Sequence, residues 1–458
     1  MLNAFEFQKI KTSRLPPAWQ APGALDDLER FLQENWELRN AFYSDTELTK
    51  RQQFIDFDRR DGFKTRNYIG TIQFRGERFN IFPKIFKVDE DDYDTSELHT
   101  GDLIKDLVVW LEYCNKFNFP FVSIRSGLDE TESFLELLIT VYVRYVKTAV
   151  DRQPFFCYED VTEEGESLKG RIDFKNYANS KYPSGQLNRL RYTYSAFIFD
   201  NHLNQIIKHT CRLLYNVTTM ASNKRIIRDI LMKLGEITDR SCQPYDCDTI
   251  KLNSLQSNYT TILSMSKMFL LNKISSDSMG MSDSFCFLFP AELLFEGFIA
   301  GFLKEMLGST AKVTAQSRKL YLTELVVDGR VIGNRFQLKE DIVVEYGDTI
   351  VVLDTKYKEI DSLIKAAIDP KRLGIEDSDM RQMAIYANRR GAKKMFLLYP
   401  LNRGETPDNV EVIFNVLDGP GEQAKKIPLQ ILKVPFSLCD NIGGTKEALN
   451  KLLSRVIE

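Results

Sequence analysis

The sequence predicts a multidomain α+β protein that ends in an α/β domain, a mixed sheet flanked by helices. Three observations carry this. First, two β-branched apolar runs, Glu340–Tyr346 and Thr349–Lys358, flank Gly347-Asp348, a two-residue loop suited to a tight hairpin turn. Second, from Leu103 to about Leu271 apolar residues recur mostly at three- and four-residue spacing, as in amphipathic helices. Third, the stretch from Asn272 to Ser284 is rich in Ser, Asp and Gly and nearly free of aliphatic residues, which marks a linker. The expected division is therefore residues 1–95, residues 96–275 as a mainly helical middle domain, and residues 276–458.

Taken in order, Pro16, Pro17 and Pro22 precede an expected helix from about Leu25 to Phe42. Arg66–Ile85 alternates apolar and polar residues about Arg75-Gly76-Glu77, a second hairpin signature. Lys84, at its end, fits either a solvated strand end or an interaction surface. Val88–Asp94 is a short acidic run, read as a solvated linker or as a contact for a basic partner. Helices are expected near 103–116, 131–150, 199–220, 222–236 and 255–272, with short strand-like pieces at Glu163–Glu166 and Leu168–Asp173. Asp200–Gln205 opens one of these helices with polar residues, which is ordinary capping chemistry. Beyond the linker, Pro290 opens a helix over Ala291–Leu303. Strand signals follow at 320–327 and turn at Asp328-Gly329 before the central hairpin. A helix over Asp379–Arg390, capped by Asp377 or Ser378 and stopped by Gly391, precedes a buried strand at Lys393–Pro400.

The central hairpin places chemistry as well as structure. If Gly347-Asp348 is the loop, Tyr346 faces Thr349 and, counting outward, Asp341 faces Asp354. Lys356 lies two residues beyond Asp354 and shares its face. Opposed carboxylates repel, and a divalent cation reverses that sign; hard oxygen pairs suit Mg²⁺. The same residues also fit a surface hairpin with solvated charges. Glu296 sits on a helix face with Leu293, Ile299, Ala300 and Leu303, where a carboxylate is costly unless paired or bound to a metal. It is either an acid directed at the same site or a salt-bridged side chain. Gln382 and Tyr386, four apart, share a helix face.

Composition limits the function classes. The chain of 458 residues is 43% hydrophobic and 27% charged, the profile of folded rather than disordered proteins. Its net charge of −3 argues against strong autonomous DNA binding. The seven cysteines are scattered, only Cys242 and Cys247 being close, and three histidines supply neither a His-based metal site nor a Ser-His-Asp triad. Reduced thiols, no signal-peptide pattern at Met1–Phe7 and no run of ~20 apolar residues predict a cytoplasmic protein without membrane spans. Gly443-Gly444-Thr445-Lys446 lacks P-loop spacing, so no NTPase is expected in this chain.

Glu296, Asp341, Asp354-Thr355-Lys356 and the Gln382/Tyr386 pair, in that order, resemble the PD-(D/E)xK nuclease superfamily in its RecB-like branch. Leu294-Phe295-Glu296, Asp341-Ile342-Val343, Asp354–Lys358, Asp379–Ala387 and Leu398-Tyr399-Pro400 resemble, more narrowly, the McrC-like nuclease subunits of McrBC restriction systems. So do Tyr68-Ile69-Gly70, Ile81–Ile85, Leu168–Ile172 and Leu203-Asn204, and the likeness runs from about residue 66. The superfamily's loosely kept proline is Glu340 here.

The resemblance implies a Mg²⁺-dependent DNA endonuclease. Asp341 and Asp354 would hold the metal with the Thr355 carbonyl, and Lys356 would orient or deprotonate water. Glu296 would complete the acidic site or its surroundings, and Gln382 and Tyr386 would position metal-side groups or DNA. It implies a partner too: a McrB-like AAA+ GTPase hexamer, on which the N-terminal interaction region docks and whose GTP hydrolysis it stimulates. The hairpin of residues 66–86 is the candidate docking element. Two other readings stay open, an autonomous RecB-like nuclease of repair or processing and a non-catalytic AAA+ activator.

Overall fold

Alternation and turn chemistry account for the N-terminal sheet. In the computed structural model, β1 (Leu2–Phe5), β5 (Tyr68–Phe74), β6 (Glu77–Phe82) and β10 (Phe285–Pro290) form a sheet in the order β1-β6-β5-β10. The structure describes residues 2–38, 51–58, 61–87, 100–114, 134–167, 169–181, 183–185, 188–253, 256–277, 284–360, 374–403, 405, 411–419, 424–437 and 442–456. β5 and β6 are joined through Arg75 and Gly76, both at positive φ, with Phe74 opposite Glu77. This is the expected hairpin, and it lies within the sheet. β5 lies between β6 and β10 with six of its seven residues buried, because both of its faces carry apolar side chains. Only the turn is left to solvent, and Arg75 there pairs with Asp27. Below the sheet, Trp19 packs on Phe63, Phe74 and Phe79 and donates its indole N–H to the Phe74 carbonyl at 2.9 Å. A small sheet of β2 (Lys9–Ile10), β3 (Ile55–Asp58) and β4 (Gly62–Thr65), in the order β2-β4-β3, flanks it.

The β5–β10 pairing changes the domain plan. Residues 1–134 and 275–458 form one compact unit, and residues 135–274 the other. The expected boundary near residue 95 is absent from this division, since strands from both ends of the chain share one sheet. The acidic run at Val88–Asp94 lies outside the described residues. The helix expected to stop near residue 272 runs Ser257–Asp277, so its last turn extends into the predicted linker.

The second unit is less helical than expected. Beside helices Phe134–Arg152, His202–Val217, Ala221–Lys233 and Ser257–Asp277, it contains β7 (Cys157–Gly165), β8 (Arg171–Ile172) and β9 (Leu190–Ile198), ordered β7-β9-β8. β7, largely exposed and rich in charged side chains, takes in most of the strand-like piece expected at Glu163–Glu166, and β8 falls within the one expected at Leu168–Asp173. β9, mostly half-buried, alternates Leu190, Tyr192, Tyr194, Ala196 and Ile198 with Arg191, Thr193 and Ser195. Asn201 caps the His202–Val217 helix, accepting from the Asn204 N–H at 3.1 Å.

The C-terminal sheet has six strands: β11 (Lys312–Ser317), β14 (Glu340–Tyr346), β15 (Thr349–Thr355), β16 (Lys394–Leu401), β17 (Val412–Asp418) and β18 (Lys425–Pro435). Their order is β11-β14-β15-β16-β18-β17. β15–β16 and β16–β18 are parallel and the other pairs antiparallel, so the sheet is mixed, as expected. β16 is buried on both faces, which its unbroken apolar run anticipates. Helix Asp377–Arg390 crosses from β15 to β16, with Glu376 as its N-cap, one residue before the predicted cap, and Gly391 in the left-handed region at its end. Helix Ala291–Leu307 packs on helix Thr100–Tyr113 through Gly297 and Gly301. A Cβ on Gly301 would lie 1.9 Å from the Tyr113 carbonyl oxygen, so only glycine allows this approach. Between β11 and β14 the chain makes a separate two-stranded ribbon, β12 (Tyr321–Val327) and β13 (Arg330–Gln337).

Candidate active site

The β14–β15 register sets the site. Tyr346 faces Thr349 and the ladder runs to Ile342 opposite Leu353, which leaves Asp341 and Asp354 one step beyond the last pair. The two carboxylates settle differently. Asp341 Oδ2 accepts from the Thr355 backbone N–H at 2.8 Å and the Thr355 hydroxyl at 2.9 Å. Asp354 is only 1% exposed, which removes the surface-hairpin reading. Its Oδ2 lies 2.7 Å from Lys356 Nζ. Gln382 connects the group: its Oε1 accepts from Lys356 Nζ at 3.1 Å, and its Nε2 donates to Asp354 Oδ1 at 3.3 Å and to the Tyr386 hydroxyl at 2.7 Å. Tyr386 in turn donates to the Lys339 carbonyl, two residues before Asp341. Five of the sequence-predicted side chains, Asp341, Asp354, Lys356, Gln382 and Tyr386, thus form one connected cluster, with Thr355 tying Asp341 in.

Burial and charge tune it. Burial pushes the Asp354 carboxyl up to about 7, the Asp341 charge adds to the rise, and Lys356 offsets part of it. For Lys356, burial works toward a lower value, but Asp354 and then Asp379 outweigh it, and the ammonium is held above its ordinary range. Burial drives the Tyr386 phenol up to about 12, so it remains a neutral donor. A buried carboxylate with a strongly raised pKa beside a second, half-buried one is the donor set that a hard divalent cation relieves. The chemistry of these residues therefore fits Mg²⁺.

Glu296 comes from a different element, the helix Ala291–Leu307. It is buried and borders a cavity of about 240 Å³ with Gly297, Ala300, Lys304 and, on β11, Val313, Ala315 and Gln316. Its helix packs on β11, one strand away from β14, so the side chain opens beside the sheet edge. Among the described residues no three His, Cys, Asp or Glu side chains gather as a metal-holding group.

Two features escaped the sequence reading. Asp379 is buried, with Oδ1 3.6 Å from Lys356 Nζ and Oδ2 3.5 Å from Lys358 Nζ. Its position three residues before Gln382, on the same helix face, was the available signal. The other is a buried bridge from the N-terminal sheet. Glu6 Oε2 accepts from the Tyr357 hydroxyl at 2.8 Å and from the Lys84 N–H at 2.9 Å, while Lys84 Nζ donates to the Tyr357 carbonyl at 2.8 Å. Lys84 is therefore more than a solvated strand end; it clamps the residue that follows Lys356. Immediately before Asp341, Glu340 is buried and paired with Arg390 at 2.8 Å.

A family model described as McrBC 5-methylcytosine restriction system component matches residues 63–400. The match spans well over half of the chain, and the chain belongs to that family. Among solved structures it is similar to a chain of the refined half-complex from the tetradecameric assembly of Thermococcus gammatolerans McrB AAA+ hexamers with bound McrC. The TM-score is 0.68 at 17% identity, over 99% of each chain, which establishes a shared fold. It is also similar to a chain of the Thermococcus gammatolerans McrBC complex, with a TM-score of 0.49 and 18% identity, over 67% of this chain and 88% of that one. No curated protein sequence matches it significantly. Among the described residues, no helix is long and apolar enough to cross a membrane.

Proposed function

We propose that this chain is the DNA-cleaving subunit of a McrBC-type restriction complex, a Mg²⁺-dependent endonuclease of the PD-(D/E)xK type. The convergence of Asp341, Asp354, Lys356 and Gln382 at the open end of β14 and β15 carries the proposal. Asp341, Asp354 and the Thr355 carbonyl would hold the cation, which supplies Lewis-acid polarisation of the scissile phosphate. Thr355 fixes Asp341 by two hydrogen bonds, leaving its other carboxylate oxygen for this work. Gln382 holds both Asp354 and Lys356, and so fixes the separation of ligand and ammonium. Lys356 is kept protonated by its carboxylate neighbours. It therefore serves as a donor that orients the attacking water and offsets charge on the non-bridging oxygens, not as the base. The water oxygen bonds to phosphorus and gives up a proton to solvent, the bridging P–O bond breaks, and the departing oxygen takes up a proton from solvent.

The family and the fold support a partner: a McrB-like AAA+ GTPase hexamer that this chain docks on and stimulates. The net charge of −3 is consistent with a division of labour in which the partner selects and moves double-stranded DNA. The test is plasmid cleavage by the purified chain with Mg²⁺, with and without the AAA+ protein and GTP, beside Asp354→Ala. Cleavage that needs partner and GTP and is lost in the variant supports the proposal. Equal cleavage by the chain alone points to an autonomous nuclease, and unchanged cleavage by Asp354→Ala refutes the site.

A further inference from the structure

The β12–β13 ribbon is a poor element for stability alone. It forms a two-stranded sheet of its own, and its apolar side chains face solvent: Val331 is 61% exposed, Ile332 56% and Phe336 73%. Two isolated strands are marginal in water, and evolution usually keeps such apolar edges short or charged. At ~3.3 Å per residue its strands reach about 20–25 Å from the sheet.

Its root, by contrast, is tightly held. Leu338 N–H donates to the Leu320 carbonyl at 2.8 Å, and Gln337 Nε2 to the Arg318 carbonyl at 2.7 Å. Arg389 donates to the Tyr321 carbonyl at 2.7 Å, Arg390 to the Ser317 hydroxyl at 2.8 Å, and Tyr386 to the Lys339 carbonyl. All three of these donors sit on the helix that carries Gln382. The ribbon is thus aimed by the same helix that orders the candidate active site, and β13 leads into Asp341 within four residues. Phe336, a bulky residue at φ 56°, holds a costly backbone conformation while its ring stays in solvent, a strain that packing does not repay.

Charge points to the occupant. Residues 318–339 hold five basic side chains, Arg318, Lys319, Arg330, Arg335 and Lys339, against Glu324 and Asp328, in a chain that is acidic overall. We propose that the β12–β13 ribbon is a DNA-contacting arm that enters the major groove beside the bond to be cut, its basic residues on phosphates and its apolar residues on base edges. A two-stranded ribbon fits a groove about 12 Å wide, where thymine presents a methyl group to apolar side chains. Cationic side chains along the ribbon and at its root set the register on the backbone. The inference rests on the nuclease reading above, since it assumes that duplex DNA reaches this edge.

The test measures binding apart from cleavage. The intact chain is titrated into a fluorescein-labelled duplex of about 30 base pairs in EDTA, at several salt concentrations, by anisotropy. Arg330→Ala/Arg335→Ala should lower the slope of log K against log salt by about 2, one phosphate contact each. Val331→Ser/Ile332→Ser should weaken binding several-fold with the slope unchanged. These side chains are exposed, and circular dichroism verifies the fold of each variant. Arg330→Glu/Arg335→Glu should weaken binding further at low salt.

Failure of the parent to bind the duplex even at the lowest salt, where weak phosphate contacts are strongest, or parent-like binding by all variants, overturns the arm. So does a loss of self-association, read by light scattering, with DNA affinity intact, which would make the ribbon an interface between copies. Asp354→Ala should bind as the parent does and not cleave. If it still cleaves, the nuclease reading fails while the binding result stands by itself.

Discussion

Glu6→Gln offers a quantitative test of how the N-terminal sheet meets the candidate site. Glu6 is fully buried. Burial drives its carboxyl from 4.5 up to about 7, against the opposing pull of Lys84 and of the donors from Lys84 and Tyr357. The folded protein therefore binds a proton more tightly than the unfolded chain. Stability from this group is full below pH ~4.5 and is lost as pH rises through ~7. A shift of this size costs the parent about 2–3 kcal/mol between about pH 5 and about pH 8. No solvent screening reduces it, because the group has no exposed surface. Glutamine is nearly isosteric, and its Oε1 can accept from both the Tyr357 hydroxyl and the Lys84 N–H. The variant should lose this share of the pH dependence and gain stability relative to the parent at about pH 8. Asp354, raised to about 7 by burial, contributes to the same window, so a residual slope is expected. Urea unfolding followed by tryptophan fluorescence at both pH values measures the difference. A variant whose stability falls with pH as steeply as the parent's would refute the reasoning, because the carboxyl would then titrate alike in both states.

Three further outcomes follow from local geometry. Arg390→Ala strands the buried Glu340 carboxylate and should cost about 3–5 kcal/mol, while the paired change Glu340→Gln/Arg390→Met should cost far less, both read by urea unfolding. Gly301→Ala places a methyl 1.9 Å from the Tyr113 carbonyl oxygen and should destabilise by about 3 kcal/mol or more, seen as a lowered Tm. Asp379→Asn removes a carboxylate charge beside both Lys356 and Lys358 and should slow plasmid cleavage by about tenfold to a hundredfold through misplacement of Lys356. The thermal midpoint should change little by comparison, and parent-like cleavage would show that Asp354 and Gln382 suffice to place the lysine.

What the sequence made legible was local. The Gly347-Asp348 turn fixed the register, and counting outward from it placed Asp341 beside Asp354 and Lys356. The Gln382/Tyr386 spacing similarly implied a shared helix face, and both side chains reach the cluster. What was not legible depended on long-range pairing. Nothing near Tyr68–Phe74 announces that Phe285–Pro290 will lie beside it, so the hairpin was legible but its place inside a four-stranded sheet was not. Glu296 shows the same limit: its helix face was visible, but β11, the strand beside β14 on which its helix packs, was not. β7 and β8 were legible only as the short strand-like pieces at Glu163–Glu166 and Leu168–Asp173, and β9 was missed although Leu190, Tyr192, Tyr194, Ala196 and Ile198 alternate with Arg191, Thr193 and Ser195.

These long-range pairings bear on the first 60 residues, which lie outside the stretch where the sequence resemblance begins. β1 pairs in parallel with β6, and the Glu6 N–H continues that contact by donating to the Phe82 carbonyl at 3.0 Å. The same residue's carboxyl then reaches Tyr357, next to Lys356. Removing the segment would leave the β6 edge unpaired, open the aromatic packing around Trp19, and release the hydroxyl that Glu6 receives. The N-terminal segment is thus part of the structural unit that holds the candidate active site, and a truncation to the region of family likeness would remove one wall of that unit.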